Sequence, residues 1–172
     1  MKNISQEIQP RIIGLDIGTH RIGIAISDEL GLIASPETTI AVAQDRKGRE
    51  RAIAEIAVLV RRFNARHVVA GLPRNMKGER GVQAEWTESF VADLRAMLNP
   101  EGIFVSLSDE RLTSVQAERS FRDDAGSSRR KPTSKVGRQT VDARAAALIL
   151  QGYLDQHRPR PATLLDDGRG ES

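Results

Sequence analysis

Apolar spacing changes its period once along this 172-residue chain, and that single change limits the folds open to it. Up to about residue 40, apolar residues alternate with small or polar ones, the period of extended strands. Beyond Arg46 they recur at helical spacing, interrupted by short apolar runs. Arg11 to Ile17 and Arg21 to Ser27 read as strands joined by the turn-length Gly18-Thr19-His20. A third strand over 32–40 follows Glu29-Leu30-Gly31, and Pro36 inside it marks an edge strand or an interruption. Residues 46–63 place Ile53, Ile56, Ala57, Val60 and Phe63 on one helical face. A strand over 67–72 follows, then a helix carrying Trp86, Phe90, Leu94 and Met97, and a strand over 103–107. Thr113 and Gln116 suit a capping box for a helix to about 123. The last helix, 140–156, turns Val141, Ala145, Leu148, Ile149 and Tyr153 inward. Strands separated by helices pair in parallel through right-handed crossovers. The expected architecture is an α/β fold: a mixed five-stranded sheet, three strands in an antiparallel meander and the rest parallel, with helices on both faces.

The length suits one domain, expected over 11–156, and hydrophobic residues at 39% suffice for a core without staples. Residues 1–10 read as a flexible lead-in, and 157–172, rich in Pro and Gly, as a disordered tail. The absence of Cys excludes thiol catalysis, Cys-ligated zinc and disulfides. Aromatic residues at 3% are too few for a base-stacking module. No stretch has the apolar length of a signal peptide or a spanning helix, so a cytoplasmic protein with no membrane partner is expected.

Asp16 lies in the strand RIIGLDI, where Ile13, Leu15 and Ile17 point one way and Ile12, Gly14 and Asp16 the other. A carboxylate there is costly to bury unless a cation or hydrogen bonds satisfy it. Gly14 leaves room for something to approach the backbone on the same face. The plainer reading is a turn-capping Asp ahead of Gly18. Glu110 lies just past a strand end, where α/β sheets carry functional groups, although acids there also meet helix dipoles. Asp142 opens an alanine-rich helix able to lie close to the sheet, and acids are common at helix starts for electrostatic reasons alone. Together Asp16, Glu110 and Asp142 form a set of oxygen ligands suited to Mg²⁺ or Mn²⁺ and unsuited to zinc. Such sets hold two ions about 4 Å apart for in-line hydrolysis of phosphodiesters. Asp109 is a candidate fourth ligand, but strand alternation points it away from Glu110. His20, His67 and His157 have no metal-binding spacing; His67 reads as structural and His20 as a turn residue able to line a site.

The loop Gly71 to Gly78 follows another strand end, and its Arg74, Asn75 and Lys77 could hold backbone phosphates or be solvated connector charges. It is no Walker A loop; Gly18 and Gly23 have that spacing, but Ile24 stands where Lys is required. Residues 125–138 read as a flexible loop. It carries Arg129, Arg130, Lys131, Lys135 and Arg138, and no acid lies between Ala125 and Val141. These residues form either a solvated charge run or a clamp over nucleic acid next to Asp142. The rest of the chain holds 21 basic residues against 23 acidic, so the net charge of +3 conceals a mildly acidic body with one basic segment.

LDIGTHRIGIAISD (Leu15 to Asp28), VVAGLPRNMKGERG (Val68 to Gly81), SDERLTSVQAE (Ser108 to Glu118) and VDARAAALILQGYL (Val141 to Leu154) resemble the signature blocks of the YqgF/RuvX family. That resemblance spans about residues 11–156 and implies a ribonuclease H-like fold. It also implies a metal-dependent nuclease, regarded either as processing the 5′ end of pre-16S rRNA or as resolving Holliday junctions. By the family pattern Asp16, Glu110 and Asp142 match the catalytic acids. Arg144 and Arg74 depart from the usual pattern without removing a ligand. Expected partners are structured RNA (pre-16S rRNA) or branched DNA, with the protein a monomer or, for a symmetric junction, a homodimer. Two other classes remain: a non-catalytic nucleic-acid-binding module of the same fold, and an actin- or sugar-kinase-like phosphotransferase suggested by Asp16-Ile17-Gly18-Thr19. The latter needs a second domain that this length does not hold.

Overall fold

The computed structural model describes residues 10–73, 81–109 and 135–157, with side chains at 109 and 135–140 excepted. Its elements are β1 (Arg11–Ile17), β2 (Arg21–Ser27), β3 (Ala34–Ala41), α1 (Arg46–Arg62), β4 (Ala65–Leu72), α2 (Val82–Leu98), β5 (Phe104–Asp109) and α3 (Lys135–His157). Among the described residues one five-stranded sheet has the order β3-β2-β1-β4-β5. The β1–β2 and β2–β3 pairs are antiparallel, whereas β1–β4 and β4–β5 are parallel. This is the expected meander with parallel strands added, and β3 is an edge as Pro36 implied. Pro36 opposes Ala25 and Thr38 opposes Ile24, so Glu37 is the extra residue of a bulge. A proline that cannot donate to a ladder is tolerated at such an edge.

Strand alternation sends Ile13, Leu15, Ile17, Ile22 and Ile24 to one face, where they pack with Ile53, Ile56 and Val60 of α1 and Phe90, Val91 and Leu94 of α2. Asp45 starts α1, its carboxylate accepting from Gly48 N–H at 2.8 Å. A 3₁₀ turn over Asn99–Glu101 ends α2, and Gly102 takes the left-handed conformation (φ 73°) that an L side chain resists. Leu98 is buried in place of the expected Met97, which is 41% exposed. The other face is covered by α3, with Ala25, Ala146, Leu150 and Leu154 at the contact.

Two expectations about this last segment need correction. Lys135 and Arg138 lie within α3 and not in a loop, because the helix begins at Lys135. Gly137 costs a helix only about 1 kcal/mol, and no proline follows Pro132 before the helix is established. The inward face is Ala143, Ala146, Ile149, Leu150 and Leu154; Val141 is 47% exposed, and Ala145, Leu148 and Tyr153 are only half-buried. So alanine-rich a helix has little amphipathic contrast, and its phase is set by which residues fit against the sheet backbone. The helix expected over 113–123 lies outside the described residues.

Candidate active site

Because β1, β4 and β5 run parallel, their carboxyl ends share one rim. Asp16 stands near the end of β1 on the face covered by α3. Across the ladder its partner is Gly23. There α3 comes so close that a Cβ on Gly23 would lie 1.9 Å from the carbonyl oxygen of Asp142. A Cβ on Gly14, two residues before Asp16, would lie 2.6 Å from Leu150 Cβ and 2.9 Å from the Ala146 carbonyl oxygen. The room Gly14 leaves for an approach to the backbone is taken by α3. These two glycines let the helix dock on bare backbone, and docking brings Asp142 beside Asp16.

The pairing has an electrostatic signature. Burial, and secondly the Asp142 carboxylate, hold the Asp16 carboxyl above its ordinary value of 3.8. Arg21, at the start of β2, places Nε 2.6 Å from Asp142 Oδ2. That oxygen is buried and accepts no aligned hydrogen bond, so the contact is an ion pair by distance. The turn between β1 and β2 is tied from the opposite side of the sheet. Gly18 N–H donates to Arg21 O at 2.9 Å, Gln83 Nε2 to Ile17 O at 2.8 Å and Trp86 Nε1 to Gly18 O at 3.3 Å. Trp86 in turn lies 4.4 Å beneath the Arg49 guanidinium, which donates to Ser89 and Asp93 at 2.9 Å each.

The structure thus brings together two of the three expected acids. Glu110 follows the last residue of β5 and lies outside the described residues, as do Arg74, Asn75, Lys77, Arg129, Arg130 and Lys131. Lys135 and Arg138 fall in the first turns of α3, with side chains outside the description. Among the described residues no group of three potential metal ligands occurs. The two acids nonetheless suit a hard divalent cation. They offer oxygen donors, their repulsion raises one of them, and one buried oxygen lacks a hydrogen bond. His67 is structural as expected: Nε2 lies 2.8 Å from Ser106 Oγ and its ring meets Tyr153 edge-on at 5.3 Å. His20 is exposed and pairs with Thr19 Oγ1 at 3.0 Å.

Arg21, Gly23, Gln83 and Trp86 escaped the sequence reading. A Gly opposite Asp16 in the register was legible once the β1–β2 turn was placed, but the partners of Arg21, Gln83 and Trp86 depend on tertiary packing.

Residues 10–156 match the RuvX family, described as a Holliday junction resolvase. The chain belongs to the RuvX family. Its relatives include two proteins each named "Putative pre-16S rRNA nuclease". The one from Chloroflexus aggregans is 48% identical over 147 residues, covering 86% of this chain and 94% of the relative. The one from Lactococcus lactis subsp. cremoris is 41% identical over 147 residues, covering 86% and 95%. Among solved structures, Thermus thermophilus RuvC in complex with a Holliday junction substrate superposes with a TM-score of 0.54 at 14% identity, over 87% of this chain and 97% of that one. A yeast mitochondrial Holliday junction resolvase gives 0.53 at 14% identity, over 86% and 79%. These two likenesses establish for the RuvX chain the resolvase-type, ribonuclease H-like sheet and helices. Among its described residues no helix is long and apolar enough to cross a membrane.

Proposed function

We propose that this protein is a cytoplasmic, metal-dependent nuclease that trims the 5′ end of pre-16S rRNA, with Asp16, Glu110 and Asp142 as its catalytic acids. The observation that carries this reading is the convergence of Asp16 and Asp142 at the carboxyl-end rim, where burial and mutual repulsion raise Asp16. The names of the relatives supply the RNA substrate.

Asp16 and Asp142, with Glu110, the residue next in sequence after β5, would hold Mg²⁺ or Mn²⁺. Such ions supply Lewis-acid activation of water and charge neutralisation at a departing phosphodiester oxygen. The chain's own part is to fix ligand positions. Asp16 is held by a strand inside the sheet, and Asp142 by a helix seated on glycine backbone. Gln83 and Trp86 fasten the turn that follows Asp16. Arg74, Asn75 and Lys77, which follow β4 in the sequence, and Arg129, Arg130, Lys131, Lys135 and Arg138, which precede Asp142, would grip phosphates without reading sequence.

Junction-DNA resolution is the second reading, favoured by the family's description. It requires a dimer presenting two sites, whereas trimming needs one. Depletion in cells followed by mapping of 16S rRNA 5′ ends separates them. Accumulated unprocessed ends support trimming; normal ends with a recombination defect support resolution. If purified protein with Mg²⁺ or Mn²⁺ cleaves neither substrate, a non-catalytic binding module remains.

A further inference from the structure

Alternation along β2 places Arg21 on the same face as Gly23, two residues nearer the rim. Its side chain is 43% exposed, against 23% for Asp142, so the guanidinium forms the solvent side of the pair. Among the described residues Asp142 is the one carboxylate within ion-pair distance of Arg21. The contact uses Nε and is not an aligned hydrogen bond, so neither partner is locked by a forked geometry. The same Asp142 repels Asp16, and Arg21 is the cation set against Asp142.

A divalent cation on Asp142 and a guanidinium 2.6 Å from the same oxygen cannot coexist without strong repulsion. We propose that Arg21 is the counter-ion of Asp142 in the cation-free site. It yields that carboxylate to an entering divalent cation, and its released guanidinium then contacts a non-bridging oxygen of the nucleic-acid backbone at the rim. The inference rests on the metal-site reading given above. Planar, always-charged arginine suits both tasks, since it pairs with carboxylate and phosphate alike. Arg21 thereby couples cation loading to substrate capture: the phosphate-binding group becomes available only when the acids are occupied.

The test uses the full chain and Mn²⁺ alone as probe. By calorimetry, Arg21→Gln should bind Mn²⁺ about tenfold more tightly than wild type, because a competing unit charge has been removed from a partly screened site. In Ca²⁺, Arg21→Gln should bind a single-stranded RNA oligonucleotide more weakly. Its dependence of log affinity on log salt should be shallower by about one phosphate contact. Unchanged Mn²⁺ affinity, or an unchanged salt slope, overturns the proposal, and a lowered Tm with both unchanged shows a purely structural pair. Asp142→Asn is the control for the underlying reading: if it binds Mn²⁺ as wild type does, the metal site itself fails. Should Arg21→Gln not fold, the wild type decides by NMR. The Arg21 Nε–H resonance should move as Mg²⁺ is added, and a resonance unmoved at saturation overturns the exchange.

Discussion

The two faces of the sheet are built by opposite means. Against α1 and α2 the strands present Ile13, Leu15, Ile17, Ile22 and Ile24, which meet Phe90, Leu94 and other large side chains in the main core. Against α3 the same strands present Gly14, Asp16, Arg21, Gly23 and Ala25, and the helix answers with Ala143 and Ala146 near the acids and Leu150 and Leu154 beyond them. Large interdigitated side chains remove apolar area from water and hold the fold together. Bare backbone buries less but lets two main chains approach closely enough to set carboxylates side by side. The first face stores stability, and the second positions charge.

Asp16→Asn should break the second face chemically with the largest effect. Cleavage of precursor rRNA in Mg²⁺ should fall about a thousandfold, roughly 4 kcal/mol of barrier, while binding of the same RNA stays nearly intact. Retained cleavage would remove Asp16 from the reaction. Gly23→Ala attacks that face sterically. Its Cβ collides with the Asp142 carbonyl, and backbone cannot swing aside, so the cost should exceed about 3 kcal/mol and Mn²⁺ affinity should fall with it. A urea midpoint and calorimetric titration near wild type would show that α3 is not seated where described.

Phe90→Ala, buried on the first face, should cost a similar 3 to 5 kcal/mol by opening a cavity, about as much as any apolar deletion here. Cleavage per folded molecule should nevertheless hold, and its loss would erase the distinction between the faces. Trp86→Phe keeps a ring beneath Arg49 but removes the donor to Gly18 O, so about 1 kcal/mol should be lost. A drop in Mn²⁺ affinity beyond that stability change would mark the clamp on the turn as part of the site.

The smallest effect concerns pH. Asp16 has a folded value above 3.8, so the native state binds its proton more tightly than the unfolded chain does. Its contribution to stability is full below 3.8 and is lost as pH rises through the folded value. In metal-free buffer, Asp16→Asn should therefore melt higher than wild type at neutral pH, and the two curves should converge in acid. A gap independent of pH would mean that the acid is not raised.

The period of the apolar residues determined the meander and the parallel strands, because burial repeats along a chain in ways that a strand or helix must match, and Pro36 marked β3 as an edge. Asp16 stood out for the same reason: an ionisable group interrupts an apolar pattern visibly. The α3 face was less legible. Its helix is rich in alanine, and a residue that fits either a buried or an exposed position carries little phase information; Val141 was turned inward on periodicity and is exposed. The start of α3 was missed because Gly137 looks like a break until tertiary contacts outweigh its modest cost. Only the tertiary structure decided that Gly14 and Gly23 admit a helix, that Asp142 lies beside Asp16, and that Arg21 pairs with Asp142. Those facts are distances between segments more than a hundred residues apart, and local pattern holds no record of them.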